Sequence, residues 1–125
     1  MRAELVSFKD VLRSVMEHNP YEGSSRDALP ALPHDSERLV WRKKEISLAS
    51  LPEVHPASER DVRSYAKHRE KTGEEFPPIV VVKRKKQHGK KPAVFSLTIY
   101  DGEHRVAAAR SVGDQKIWAF VGSTR

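Results

Sequence analysis

The chain has 125 residues, 38% of them hydrophobic, which suits one compact domain with a modest core. Its 23 Lys plus Arg outnumber 17 Asp plus Glu, giving a formal charge of +6 and favouring an anionic partner over a cationic one. With no cysteine, thiol catalysis, disulfides and cysteine-ligated zinc are all excluded. No apolar run reaches the ~20 residues of a membrane span, and the N-terminus lacks the apolar centre of a signal peptide, so a cytoplasmic protein with no membrane partner is expected.

Phe8, Val11, Leu12, Val15 and Met16 recur at helical spacing, with Ser7 and Asp10 placed as a capping box, and predict an amphipathic helix over 7–18. Its apolar stripe either packs on the main domain or offers a homodimer contact; packing is the commoner use of such a stripe. Asn19-Pro20 ends it. Residues 19–37, rich in Pro, Gly and Ser, read as an irregular linker, so 1–37 is taken as helix plus linker and 38–125 as the folded domain.

From Leu39 to Leu48, apolar residues mixed with charges predict a partly exposed strand. Ser58 and Asp61 form a second capping box, and Gly73 stops the helix they begin. Lys67, His68, Arg69 and Lys71 in its last turns suit the negative end of the helix dipole. Pro77-Pro78 introduces Ile79 to Val82, a β-branched run expected to be a central strand covered on both faces. Lys83, Arg84, Lys85, Lys86, Lys90 and Lys91 then make a cationic hairpin tip. The tip either tracks a phosphate backbone, as in non-specific DNA binding, or keeps strand edges soluble, and no aromatic residue is interleaved with it to stack on bases.

Residues 93–100 alternate, with Ala93, Phe95, Leu97 and Ile99 on one face and Val94, Ser96, Thr98 and Tyr100 on the other, one of the two being core. The strand runs without a linker into Asp101-Gly102-Glu103-His104-Arg105 and a helix to Val112, closed by Gly113 and followed by a strand over Lys116–Val121. A helix begun directly after a glycine turn presents unpaired N–H groups to an anion. Here the amides of Glu103 and His104 can cradle a phosphate, Arg105 can grip it bidentately, and His104 can donate to a bridging oxygen. Asp101 either caps the helix, holds a magnesium ion or orients a substrate hydroxyl. A cation would offset Glu103 beside a polyphosphate, so a Mg²⁺-nucleotide fits better than bare phosphate. The bland reading is a tight strand-to-helix turn with surface charges.

The order of elements, the P-P-I-V-V-V strand, the D-G-x-H-R junction and the alanine-rich helix ending in glycine make residues 40–121 resemble the ParB N-terminal and sulfiredoxin superfamily. The resemblance implies a small α+β fold: a mixed sheet flanked by helices, here with an extra N-terminal helix. It also implies a bound nucleoside triphosphate, CTP or ATP with Mg²⁺, at Gly102 to Arg105. Members clamp DNA, repair oxidised thiols, phosphorylate free serine or are nucleases. Glu103 stands where sulfiredoxins place cysteine, so that activity is excluded. His104 departs from the G-E-R-R of ParB, and no helix-turn-helix is expected after the last strand. Two functions remain: a stand-alone ParB-like domain that binds DNA non-specifically, or a small phosphotransferase, nucleotide hydrolase or nuclease. The second would use Glu53 or Glu59 as base, with Glu103 as a further acidic candidate and His55 beside the site. The six histidines show no paired zinc spacing.

Overall fold

A computed structural model describes residues 4–18, 32–86 and 89–124. Most of the linker expected over 19–37 lies outside the described residues, as do Gln87, His88 and the side chain of Lys86. The protein is a small α+β fold. Five strands form one mixed sheet: β1 (Glu4–Val6), β2 (Val40–Ser47), β3 (Ile79–Lys86), β4 (Val94–Asp101) and β5 (Lys116–Ser123). Three helices complete it: α1 (Phe8–His18), α2 (Glu59–Thr72) and α3 (Glu103–Ser111). The strand order is β1-β2-β5-β3-β4, with β5 and β3 parallel and every other neighbouring pair antiparallel. Among the described residues no helix is long and apolar enough to cross a membrane.

Strand β3 has the central environment its sequence predicts, since Ile79, Val80, Val81 and Val82 are each 0% exposed. Their side chains alternate between two cores. Ile79 and Val81 meet Ile46, Ile117, Ala119 and the inner faces of α2 and α3, including Val62, Val106 and Ala109. Val80 and Val82 meet Trp41, Phe120 and, from α1, Val11 and Val15. Each buried Val or Ile contributes about 1.5–3 kcal/mol of transfer free energy, so neither face is dispensable.

Phe8, Val11 and Val15 of the N-terminal stripe pack on the sheet, whereas Leu12 and Met16 stay exposed. Ser7 and Asp10 form the expected box, Asp10 N–H donating to Ser7 Oγ at 3.1 Å and Ser7 N–H to Asp10 Oδ2 at 3.4 Å. Val6 pairs with Trp41, which makes β1, unforeseen in the sequence, an edge strand of the same sheet. Residues 32–38 are also held: Leu32 packs in the α1-side core, Ser36 is buried, and Trp41 Nε1 donates to Ser36 O at 2.8 Å. They are therefore part of the folded unit and not a linker.

Two strands run further than the sequence suggests. β5 includes Gly122, a poor strand former, because the Trp41 ring lies on it: a Cβ there would sit 2.8 Å from ring atoms. An aromatic laid across a strand glycine replaces the packing that the glycine lacks. β3 continues through Lys83 to Lys86, paired with Leu97, Ser96, Phe95 and Val94 of β4, so the first half of the supposed hairpin tip is strand. β5 ends opposite Lys83, and beyond it β3 and β4 form a two-stranded ribbon.

Arg84, expected among the nucleic-acid lysines, is instead tied across to residue 35. Its two terminal nitrogens donate to both Asp35 carboxylate oxygens at 2.9 and 3.0 Å. The Arg84 hydrogen bond holds the Asp35 carboxyl below the usual carboxylate range, partial burial opposing it. A depressed folded-state pKa gives stability that is present above the unfolded value, ~3.9, and lost as pH falls through the folded one. Urea denaturation followed from neutral to acid pH should therefore show a decline that is shallower in Asp35→Asn, and that variant should be the less stable protein at neutral pH.

Candidate functional site

At the end of β4 the pairing shifts from Val81↔Ile99 to Val80↔Asp101, so Tyr100 is an extra residue in the strand. Such a bulge turns the following side chain out of the pleat's alternation. Asp101 is buried, and its Oδ2 accepts from Arg105 Nη2 at 2.9 Å. Gly102 adopts φ +107°, a left-handed value that side chains resist, and a Cβ there would lie 2.8 Å from Ile79 Cβ and closer still to Cγ2. Only glycine fits this junction.

Arg105 does not present a fork to solvent. It is 2% exposed, and besides Asp101 its guanidinium donates to the carbonyls of Pro77 and Pro78 at 3.0 and 2.8 Å. The expected phosphate grip is thus replaced by a clamp that joins β4, α3 and the residues leading into β3. The N-cap of α3 is Gly102, and the Asp101 carboxylate before it is engaged by the clamp. Among the described residues no group of three or more His, Asp and Glu is placed to hold a metal ion.

His104 is tied to the second helix. Ser58 Oγ accepts from Asp61 N–H at 3.2 Å, as the capping box predicts. However, the Ser58 N–H that a closed box would return to Asp61 is donated to His104 Nε2 at 3.2 Å. Nε2 therefore carries no proton in this contact and the ring N–H is on Nδ1. At the other end, Arg69 of α2 donates to both Asp114 oxygens just past α3, at 3.2 and 3.4 Å. Ties at both ends make α2 and α3 run side by side in the same direction. Their N-termini adjoin. The first intrahelical bonds are Val62 N–H to Ser58 O and Val106 N–H to Gly102 O, so the amides of Glu59, Arg60, Glu103 and His104 precede both ladders at one end of the molecule. Two positive dipole ends lie together there.

Glu103 and Glu59 stand exposed in the first turns of α3 and α2. The adjoining N-termini bring these two near one another. Glu53 and His55 are exposed on the segment that leads into α2, and among the described residues no hydrogen bond or ion pair ties either to the junction. Arg110, which the sequence did not single out, anchors that segment by donating from Nη2 to the carbonyls of Leu48, Leu51 and Pro52 at 3.0–3.2 Å.

The second basic feature is the ribbon. Lys85, Lys90 and Lys91 are exposed and Lys83 is half-buried. Phe95, on the face of β4 that also carries Leu97 and Ile99, is exposed and lies under the Lys83 ammonium. Continuing the β3 alternation past Val82 would have found it, because Lys83 and Lys85 then share a face with Leu97 and Phe95.

Comparison of the chain with family models, with curated proteins and with solved structures gives no match. Function rests on the geometry alone.

Removing one partner of a buried, hydrogen-bonded ion pair leaves the other charged and unsolvated, at a cost of about 3–5 kcal/mol. Arg105→Ala should lower the unfolding free energy by that amount in urea denaturation. Glu103→Gln, at an exposed position, should change it by less than ~0.5 kcal/mol.

Proposed function

We propose that this protein is a ParB-like module that associates with DNA without sequence preference, through the cationic β3–β4 ribbon. The observation that carries the reading is the ribbon itself. Lys83 stands opposite the end of β5, and Lys85, Lys90 and Lys91 lie exposed on the β3–β4 extension beyond it, where a polyanion can reach them. Phosphate contacts of this kind give affinity without sequence information. The ParB and sulfiredoxin likeness rests on the order of elements and on the Gly102 junction between β4 and α3. Duplex binding followed by fluorescence anisotropy against salt tests the reading. Replacing the four lysines with Gln should weaken binding and reduce the salt slope by ~0.9 for each lysine that meets a phosphate. An unchanged slope would remove the ribbon from the interface.

A second reading concerns the adjoining helix N-termini. The Ser58–His104 bond holds the first-turn amides of α2 and α3 together, which favours a phosphate there, from DNA or from a Mg²⁺-nucleotide such as CTP or ATP. Arg105 has no part in this reading. The magnesium ion would be carried by the nucleotide's own phosphates, with Glu103 and Glu59 as the acidic side chains at hand. Were the nucleotide turned over, as in a hydrolase or phosphotransferase, Glu59 is favoured over Glu53 as base because it follows Ser58 directly. Titration of the ¹⁵N-labelled protein with Mg²⁺-CTP and Mg²⁺-ATP should shift the amide resonances of Glu59, Glu103 and His104 ahead of others. Unmoved amides at millimolar nucleotide would exclude a nucleotide site at this end.

A further inference from the structure

On the ribbon, Phe95 is 58% exposed, although a phenyl ring is a costly group to leave in water. It is not stranded among apolar neighbours. Lys85 is its direct cross-strand partner, and Lys83 Nζ lies 4.6 Å from the ring centroid. A cation over an aromatic face gains from the ring quadrupole, so Lys83 keeps the ring separate and presentable. Lys83 and Lys85 are two residues apart on one face, about 6.7 Å along the strand, a spacing an extended sugar-phosphate chain can follow. This aromatic set between two cations is what a strand of unpaired bases requires: phosphates pair with ammonium groups and a base stacks on the ring. A duplex offers phosphates alone, because its base faces are already stacked, and it would leave Phe95 without a role.

Resting on the DNA reading above, we infer that the ribbon's ligand is single-stranded DNA, with one base stacked on Phe95 and its flanking phosphates held by Lys83 and Lys85. The arriving base displaces the Lys83 ammonium from the ring, and the freed ammonium pairs with the phosphate the base brings. Lys90 and Lys91 at the tip extend the track. Arg84 takes no part, since it faces the other side of the ribbon and is bound to Asp35.

The test compares a labelled oligo-dT, a duplex of equal length and an oligo-U, by anisotropy at several salt concentrations. Wild type should bind oligo-dT more tightly than duplex. Phe95→Ala should weaken oligo-dT binding about 5- to 150-fold, the stacking contribution of one base, with the salt slope unchanged because no charge is lost. Phe95→Trp should keep the affinity and show tryptophan quenching on oligo-dT beyond that of wild type, which controls for any loss of fold in the alanine variant. Lys83→Gln with Lys85→Gln should reduce the single-strand salt slope by ~0.7 per lysine. Equal binding of oligo-dT and duplex with Phe95→Ala neutral would overturn the stacking role and leave the DNA reading standing. Tighter binding of oligo-U would overturn the assignment to DNA, and no binding of any strand would overturn both readings.

Discussion

The Asp101–Arg105 pair is the constraint on which the junction of β4, α3 and the entry to β3 depends. Pro77 and Pro78 have no N–H to give a ladder, and their carbonyls take their hydrogen bonds from Arg105. The same guanidinium neutralises a carboxylate that the β4 bulge has turned inward. Three chain segments are fixed by one side chain, and the junction closes only because Gly102 has no Cβ to strike Ile79. With α3 pinned at its first turn, the His104 ring is held where it can receive the Ser58 amide. The clamp is thus structural, and the first-turn amides of α2 and α3 are left outside it.

Much of the architecture is legible in the residues because local and global preferences agree. The Ile79–Val82 run, the Ser7 and Ser58 caps and the stops at Gly73 and Gly113 each state in sequence what the fold uses. The misreadings occur where a distant partner overrides a local preference. Gly122 is strand because Trp41 covers it, and residues 32–37 are ordered because Trp41 and the α1-side core hold them. At the site, Gly102 was legible from the strand-glycine-helix pattern. Arg105 was not, because the pattern says that a cation stands in the first turn and nothing about which way it faces. Its true partners lie four and twenty-seven or twenty-eight residues away in sequence.

The charges sort into two populations that composition cannot separate. Arg69, Arg84, Arg105 and Arg110 spend their guanidinium groups on carboxylates and carbonyls that join elements. Lys85, Lys90 and Lys91 of the ribbon remain at the surface as compact ammonium groups on flexible stems. Arginine's planar fork suits fixed, multiply bonded positions, whereas lysine suits a contact that must be made and released. The net charge of +6 says nothing of this division between arginines that join elements and the exposed lysines of the ribbon.

Strand β5 sits between β2 and β3 yet is the last strand in the chain. Val40 pairs with Ser123 and Ile79 with Ala119, so the sheet's middle is assembled from residues far apart in sequence. Closing such long loops is entropically costly before any contact repays it, and topologies of this kind fold slowly. On the ribosome, β3 and β4 can form their hairpin early, but β2 has no neighbour on its inner side until residues 116–123 emerge. Completion of the sheet therefore waits until β5 has emerged, and until then the backbone edges of β2 and β3 that β5 will join are open to other chains.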